Sequence, residues 1–441
     1  MSFNIGLSGL YAANKQLDVT GNNIANVATT GFKSSRAEFA DVYSATHLGS
    51  GSKSVGNGVR LATVAQQFGQ GDINNTGNVL DMGIQGQGFF VLSDNGSLNY
   101  SRAGAFKTDK DNYIIDNDGN RLQGYGVDAN GKIMTGVLTD LKIDTSALAP
   151  RSTSKVAQAI NLNSSNEDEP VIPATTTFDP SDLNSYSKTI PTKIYDSQGN
   201  EHVMDQYYVK TGTNAWKMYT YIDGRNPLDP AQQPPVPLSA DITFNADGSV
   251  DTMTAGAGMT VANNVFKITG WVPATITNPS TTPPIWGSNG SVGNAAGIAI
   301  DMTQTTSYNA TTARTSQSQD GYATGIISSL TIDESGVMFA SFSNQQSKAI
   351  GQVAIASFAN EQGLQPVGGS KWKETYASGI PGVDAPTTGT LGAVVSNSLE
   401  ESNVNLTSEL VDLIKAQSNY QANAKTISTQ STIMQTIIQM T

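Results

Sequence analysis

FNIGLSGLYAANKQLDVTGNNIANVA, residues 3–28, and LTSELVDLIKAQSNYQANAKTISTQSTIMQTII, residues 406–438, carry one spacing at opposite ends of the chain. In the first, Phe3, Leu7, Leu10, Asn14, Leu17, Gly21, Ile24 and Ala28 fall on alternating steps of four and three. In the second, Leu406, Leu410, Leu413, Gln417, Tyr420, Ala424, Ile427, Ser431, Met434 and Ile438 do the same. A helix with this spacing has one narrow seam to bury and needs another helix to cover it. The simplest partner for each end is the other end; the alternative is the same segment in a neighbouring copy. Both seams are imperfect. Asn14, Gly21, Gln417 and Ser431 fall at buried-type positions, and Asn22, Asn23 and Asn26 are poor helix formers. The ends are therefore expected to be largely disordered alone and to order when further copies supply partners.

Thr29, Thr30 and Gly31 should stop the first helix: two β-branched residues, then a glycine. Asn403 or Asn405 can cap the second, with Glu409 and Asp412 in its early turns where negative charge suits the helix dipole. Between the helices the pattern turns to strands. Asn95-Gly96, Asp118-Gly119, Asn130-Gly131, Asp223-Gly224 and Asp247-Gly248 sit between short apolar or alternating runs, the signature of antiparallel hairpins. Candidate strands cover 84–92, 113–115, 121–127, 202–209, 216–222, 326–332, 337–342 and 350–358. The fold class is mainly β, with a discontinuous α-helical terminal domain and nested β domains between paired coiled-coil helices.

Composition shifts divide the chain. Residues 41–70 are Gly- and Ser-rich and read as an extended connector, which includes His47. Proline-rich stretches at 226–237 and 273–284 mark a separate module. The expected order is a terminal helical domain (1–40 plus 397–441), a connector (41–70 plus 370–396), an inner β domain (71–145 plus 322–369) and an outer β domain (146–321). A chain that leaves and returns through each layer brings its ends together, as the paired seams require.

The 441 residues carry a formal net charge of −12 and no basic cluster, which argues against nucleic acid as a partner. With no cysteine, thiolate catalysis, disulfides and cysteine-based metal sites are excluded. MSFNIGLSGLYAANK has neither a basic start nor a continuous apolar run, so no cleaved signal is expected. The uncharged stretch 268–300 is rich in Pro, Thr, Asn and Gly, so no membrane insertion is expected either. The two histidines, His47 and His202, fall in a connector and a strand and suggest no triad or metal site. Asp116-Asn117-Asp118-Gly119 has part of a calcium-loop pattern but lacks the downstream glutamate, and a hairpin turn explains it. Gly86-Gln87-Gly88 is followed by Phe89 and Phe90 and no helix, so a close-packed strand is expected, not a nucleotide loop. Tyr420 and Met434 are expected to pack in the seam, and Glu167-Asp168-Glu169 to form a solvated turn. No catalytic, cofactor or metal residues are assigned, and the chain is not expected to be an enzyme.

Several stretches resemble the rod–hook axial protein family of the bacterial flagellum. GLSGLYAANKQLDVTGNNIANVATTGFKSSRAEF, residues 6–39, is similar to that family's N-terminal signature, with its Asn22, Asn23 and Asn26 core. LDMGIQGQGFFVL (80–92), YSRAGAF (100–106) and DNDGNRLQGY (116–125) resemble the block that opens its inner β domain. LEESNVNLTSELVDLIKAQSNYQANAKTI, residues 399–427, resembles its C-terminal signature. The sequence departs from that signature at Ser418-Asn419-Tyr420, where relatives usually carry an arginine before the aromatic. It departs again at Gln430 and Ser431, in place of acidic residues.

Within the family, length and a large insertion point to the hook members. The resemblance implies a structural subunit that self-assembles as a homopolymer, a curved helical tube serving as a universal joint between motor and filament. It implies as partners the rod and hook–filament junction proteins, the hook cap and the flagellar type III export apparatus, with extracellular assembly and no cleaved signal. Phe3 and Leu7 resemble the short export element of that family and are also seam residues. Two rivals remain open at this point: a straight-rod subunit, and a surface β protein binding glycans, which would leave the terminal seams unexplained.

Overall fold

The structure, a computed structural model, describes residues 2–42, 56–128 and 131–440. His47, Asn130 and residues 43–55 of the Gly/Ser-rich connector lie outside the described residues. Among those described there are two α-helices, α1 (Ser2–Ala25) and α2 (Leu406–Met440), one short 3-10 turn and many short strands. The chain divides into two compact units. One holds residues 1–145, 327–341 and 347–441; the other holds 146–326 and 342–346.

In the first unit, strands from before and after the insertion share one sheet of thirteen described strands. Along its main path lie Ile327–Ile332, Val337–Phe342, Ser347–Val353, Arg121–Val127, Phe89–Asp94, Ser97–Ser101, Lys371–Lys373 and Gln365–Gly368. The run Phe89-Phe90-Val91-Leu92 explains how this sheet is covered on both faces. Successive side chains point to opposite sides, so Phe90 and Leu92 join Met82, Ile84, Leu122, Met338 and Val353 in one core. Phe89 and Val91 join Tyr100, Leu364 and Trp372 in another. All four are essentially inaccessible to solvent.

The single strand expected over 84–92 is two strands, Met82–Gln85 and Phe89–Asp94. Gly86 and Gly88 separate them with φ of 109° and 128°, which a continuous strand does not use. The expected strand 350–358 is likewise divided, into Ser347–Val353 and Ile355–Ser357. Residues 370–396, expected as connector, carry three strands. Lys371–Lys373 pairs with Ser97–Ser101, Gly382–Asp384 with Ile355–Ser357, and Ala393–Ser396 with Met82–Gln85. The connector at 41–70 begins and ends as a hairpin, Ser35–Asp41 with Val59–Gln66.

The Asn-Gly and Asp-Gly signals resolve into two turn classes. Asn95-Gly96 and Asp223-Gly224 have positive φ at both residues, as the two-residue primed hairpin turn requires. At 119 and 248 only the glycine is left-handed. The loop 116–120 is closed by its first aspartate: Asp116 Oδ1 accepts the N–H groups of Asp118 at 2.9 Å and Asn120 at 2.8 Å. The Lys371 ammonium lies against Asp116 and Asp118 of this turn.

The second unit packs two five-stranded sheets face to face. One is an antiparallel meander of Lys188–Tyr195, Glu201–Gly212, Ala215–Ile222, Leu238–Phe244 and Val250–Ala255. The other orders Met259–Ala262, Val265–Ile268, Ile298–Asp301, Lys155–Asn161 and Ala313–Gln319, with one parallel pairing between its third and fourth strands. Alternating inward residues of both sheets, among them Ile160, Met204, Tyr208, Trp216, Ile242, Phe266 and Ile300, form one core.

His202 is buried in this unit between two carboxylates: Nδ1 lies 2.6 Å from Asp223 Oδ2 and Nε2 3.3 Å from Asp196 Oδ2. Burial alone would lower its pKa, but Asp223 and Asp196 outweigh burial and hold it above the ordinary histidine value. For Asp196 burial pushes upward, but hydrogen bonds from Ser291, Asn200 and Asn289 win and hold its carboxyl well below the usual range. The His202 contribution to stability is therefore full below about pH 6.5 and is lost as pH rises through the raised folded value. The Asp196 contribution is full above about pH 3.9 and is lost as pH falls through its depressed value. Thermal unfolding should show this unit's transition at a higher temperature at pH 5.5 than at pH 9. His202→Gln should remove most of that difference.

Candidate functional site: the terminal helix pair

Asn405 caps α2, its Oδ1 accepting the Ser408 N–H at 3.1 Å, which selects between the two expected caps. With 35 residues, α2 is about 52 Å long. α1 runs antiparallel to it. Gly6 lies beside Ile427, Gly9 beside Asn423, and Asn23 reaches Glu409. α1 ends at Ala25, three residues before the expected stop at Ala28. Asn23 closes that end. Its Nδ2 donates to Ser35 O at 2.8 Å and to Glu409 Oε1 at 2.9 Å, and its Oδ1 accepts the Ser35 N–H at 2.9 Å. One buried asparagine thus joins α1, the first strand and α2. Asn26 donates to Asn22 O at 2.9 Å and accepts from Thr29 Oγ1 at 3.1 Å, which winds the chain out of the helix.

The contact between the helices is made by small residues. Gly6, Ala13, Thr20 and Ala416 are buried in it. A Cβ at Gly6 would lie 3.0 Å from Ile427 Cγ1, and one at Gly9 would collide with the Asn423 side chain. On α1 the seam predicted from the heptads sits one position further round, about 100°; on α2 it overlaps the contact, where Ile427 packs on Gly6. Of its members, Leu10, Leu17, Ile24, Leu413, Ala424 and Ile427 are half-buried. Phe3, Leu7, Leu406, Leu410, Tyr420, Met434 and Ile438 are exposed, so Tyr420 and Met434 are not core residues of the single chain. Asn14, Gly21, Gln417 and Ser431, read as buried-type positions, are also exposed. Ala28 lies in the turn beyond α1.

Exposed apolar residues surround the pair. Phe3, Leu7 and Tyr11 form one i, i+4 stripe on α1; Leu406, Leu410 and Ile414 form another on α2. Beyond the reach of α1, residues 431–440 of α2 are exposed throughout, including Ile433, Met434, Ile437 and Ile438.

A buried charge cluster holds the base of the pair. Lys33 Nζ donates to Glu400 Oε1 at 2.6 Å and to Gly69 O at 2.8 Å, and Arg102 donates to Glu400 Oε2 at 3.2 Å. The Gly71 N–H also donates to Glu400, at 3.0 Å. Lys33 and Glu400 have no exposed side-chain surface. Burial lowers the Lys33 pKa further than Glu400 restores it. Beside them, Asn403 accepts the Ser34 N–H at 2.8 Å and donates to Gln67 O at 2.7 Å. Gly31, with φ of 66°, donates its N–H to Glu400 O and packs directly on the Ala103 backbone, leaving no room for a side chain. Sequence reasoning missed this cluster, since nothing in a single chain marks a lysine or glutamate as buried. Its signal was positional: Lys33, Arg102 and Glu400 lie inside three of the five family-like stretches, 6–39, 100–106 and 399–427.

Four family models match the chain in order. They are "Flagella basal body rod protein" over residues 3–33, "Flagellar hook protein FlgE/F/G D1 domain" over 83–163, "Flagellar basal body protein FlaE D2 domain" over 161–322 and "Flagellar basal body rod FlgEFG protein C-terminal" over 395–440. The flagellar hook protein FlgE of Escherichia coli is 38% identical over 445 residues, covering 100% of both chains. That of Salmonella typhimurium is 38% identical over 443 residues, with the same coverage. The crystal structure of Helicobacter pylori flagellar hook protein FlgE2 shares the fold, with a TM-score of 0.50 at 14% identity, covering 74% of this chain and 100% of that one. Identity at this level along the whole of both sequences, with the matched domains in the same order, means that the chain belongs to the flagellar hook protein family.

Proposed function

We propose that this chain, as a structural subunit of the bacterial flagellar hook, polymerises through its terminal helices into a curved, flexible tube that transmits torque from motor to filament. The observation that carries this reading is the apolar surface around the helix pair. One antiparallel partner covers only the small-residue face, and the stripes and the α2 overhang call for several more helices. Copies related by a rotation and rise that do not close give an open helical polymer. The low charge and abundant Ser, Thr, Asn and Gln favour wet, exchangeable contacts between the β units, as bending requires.

On this reading the terminal helices form the inner wall. Rod and junction proteins cap the ends of the polymer, and the hook cap guides growth. The subunit leaves the cell through the flagellar type III apparatus without a cleaved signal, with Phe3 and Leu7 recognised during export. Membership of the family supports a structural role over an enzymatic one. Negative-stain microscopy of tubes formed by the full chain tests the reading: curved tubes of uniform diameter support it, and straight rods would assign the chain to the rod.

A further inference from the structure

Residues 268–300 carry no charged side chain. Within them Ala274–Asn278 and Ile285–Ser288 form a hairpin that pairs with no other described strand. Most of it faces solvent, including Ile276 and Ile285. A lone two-stranded hairpin is marginally stable at best, so its order depends on how its two roots are held. Both roots meet at one buried centre. At the first, the Trp271 ring stands edge-to-face against the His202 ring, with centroids 5.2 Å apart. At the second, Asn289 Nδ2 donates to Asp196 Oδ2 at 3.0 Å, and Ser291 Oγ donates to the same oxygen. The Asn289 N–H joins the roots by donating to Pro273 O at 3.0 Å.

His202 is the one group in this centre whose charge changes near neutrality. Protonated, it donates from Nδ1 to Asp223 Oδ2 at 2.6 Å and from Nε2 to Asp196 Oδ2 at 3.3 Å. A neutral imidazole keeps only one N–H. The proton that stays is the one on Nδ1, for two reasons. That contact is the shorter. Among the described residues nothing else donates to Asp223 Oδ2, whereas Asn200, Asn289 and Ser291 also donate to Asp196 Oδ2. Loss of the Nε2 proton to solvent turns a lone pair toward the Asp196 carboxylate. Attraction then becomes repulsion at the oxygen that holds Asn289 and Ser291. The other charges nearby do not offset this. Asp205, on the same strand, adds to the negative field at Asp223. Lys193, whose neighbour Ile194 pairs with His202, is exposed and bound to Glu201. The Arg225 guanidinium lies over the Trp286 ring, on the hairpin itself.

We propose that protonated His202 latches the 274–288 hairpin to its unit, and that loss of the Nε2 proton frees the hairpin while the 223–224 turn stays in place. Because Asp223 and Asp196 hold the folded pKa of His202 above its ordinary value, the latch is closed below that raised value and open above it. The device belongs to the single chain and does not depend on polymerisation.

Hydrogen exchange of the unassembled full chain tests this, read by mass spectrometry across about pH 5.5 to 9 and corrected for the intrinsic pH dependence of amide exchange. Isotope-labelled histidine NMR on the same protein gives the His202 titration midpoint. Protection of 274–292 should fall about tenfold or more, the scale of one charge-assisted hydrogen bond, with that same midpoint. The amides of 223–225 should keep their protection. His202→Gln should abolish the step. Ser291→Ala, which leaves the imidazole in place, should lower hairpin protection at both ends of the pH range. A flat profile for 274–292, a step displaced from the His202 titration, or a step surviving in His202→Gln would overturn the latch. Loosening centred on 223–225, or an unchanged hairpin in Ser291→Ala, would overturn it equally.

Discussion

Replacing Glu400 with alanine is expected to destabilise the first unit by about 3–5 kcal/mol, the usual cost of leaving a buried charge unpaired. Among the described residues, Glu400 is the only carboxylate that Lys33 and Arg102 contact directly, and both cations are buried. Removing it also frees the Gly71 N–H. Against a domain stability of about 5–15 kcal/mol, such a loss is large. The lever is long-range as well. Lys33 follows α1, Glu400 precedes α2, and Arg102 belongs to the inner sheet's segment, so the variant should loosen both helices from the β strands together. Urea unfolding of the monomer would show a lower midpoint. Replacing all three charges with methionine or leucine should recover much of the loss, because a buried ion triad contributes little over well-packed apolar residues.

The second large effect falls on assembly and not on folding. Leu410→Ser with Ile414→Ser alters side chains that are 44% and 62% exposed in the single chain, so monomer stability should change little. In the proposed polymer these side chains would be buried on a neighbouring helix. Completing the burial of two half-exposed aliphatic side chains is worth about 1.5–3 kcal/mol. That corresponds to a rise of about 10- to 150-fold in the critical concentration for tube growth. Sedimentation of polymer across a range of protein concentrations measures it. A double variant that assembles at the wild-type concentration would place this stripe outside the interface.

The two variants separate what the sequence can reveal from what it cannot. Heptad spacing located both helices to within a few residues, because apolar periodicity is a local property of the chain. It did not show which residues of each helix meet within one copy. Gly6, Gly9, Ala13 and Ala416 contribute little hydrophobic signal, yet they let the backbones approach, while the larger Leu7, Leu410 and Ile414 stay outside. Strand positions such as 121–127 and 337–342 could be read directly from alternation and flanking turns. The break at Gly86 and Gly88 could not, since a glycine in an apolar run fits either a packed strand or a change of direction. The Lys33–Glu400–Arg102 cluster was hidden for a different reason: a charge's burial is set by residues hundreds of positions away. The Asn23 clasp was visible as part of a motif, but its role needed Ser35 and Glu409 brought to its side chain.

Helical reconstruction by electron cryo-microscopy of polymers grown in cells whose only hook subunit is this chain tests the central claim most directly. The account predicts that α1 and α2 line the innermost wall, with the Phe3–Leu7–Tyr11 and Leu406–Leu410–Ile414 stripes and the 431–440 overhang covered by helices of neighbouring copies. A tube held together by its β units alone, with those stripes still facing solvent, would contradict it.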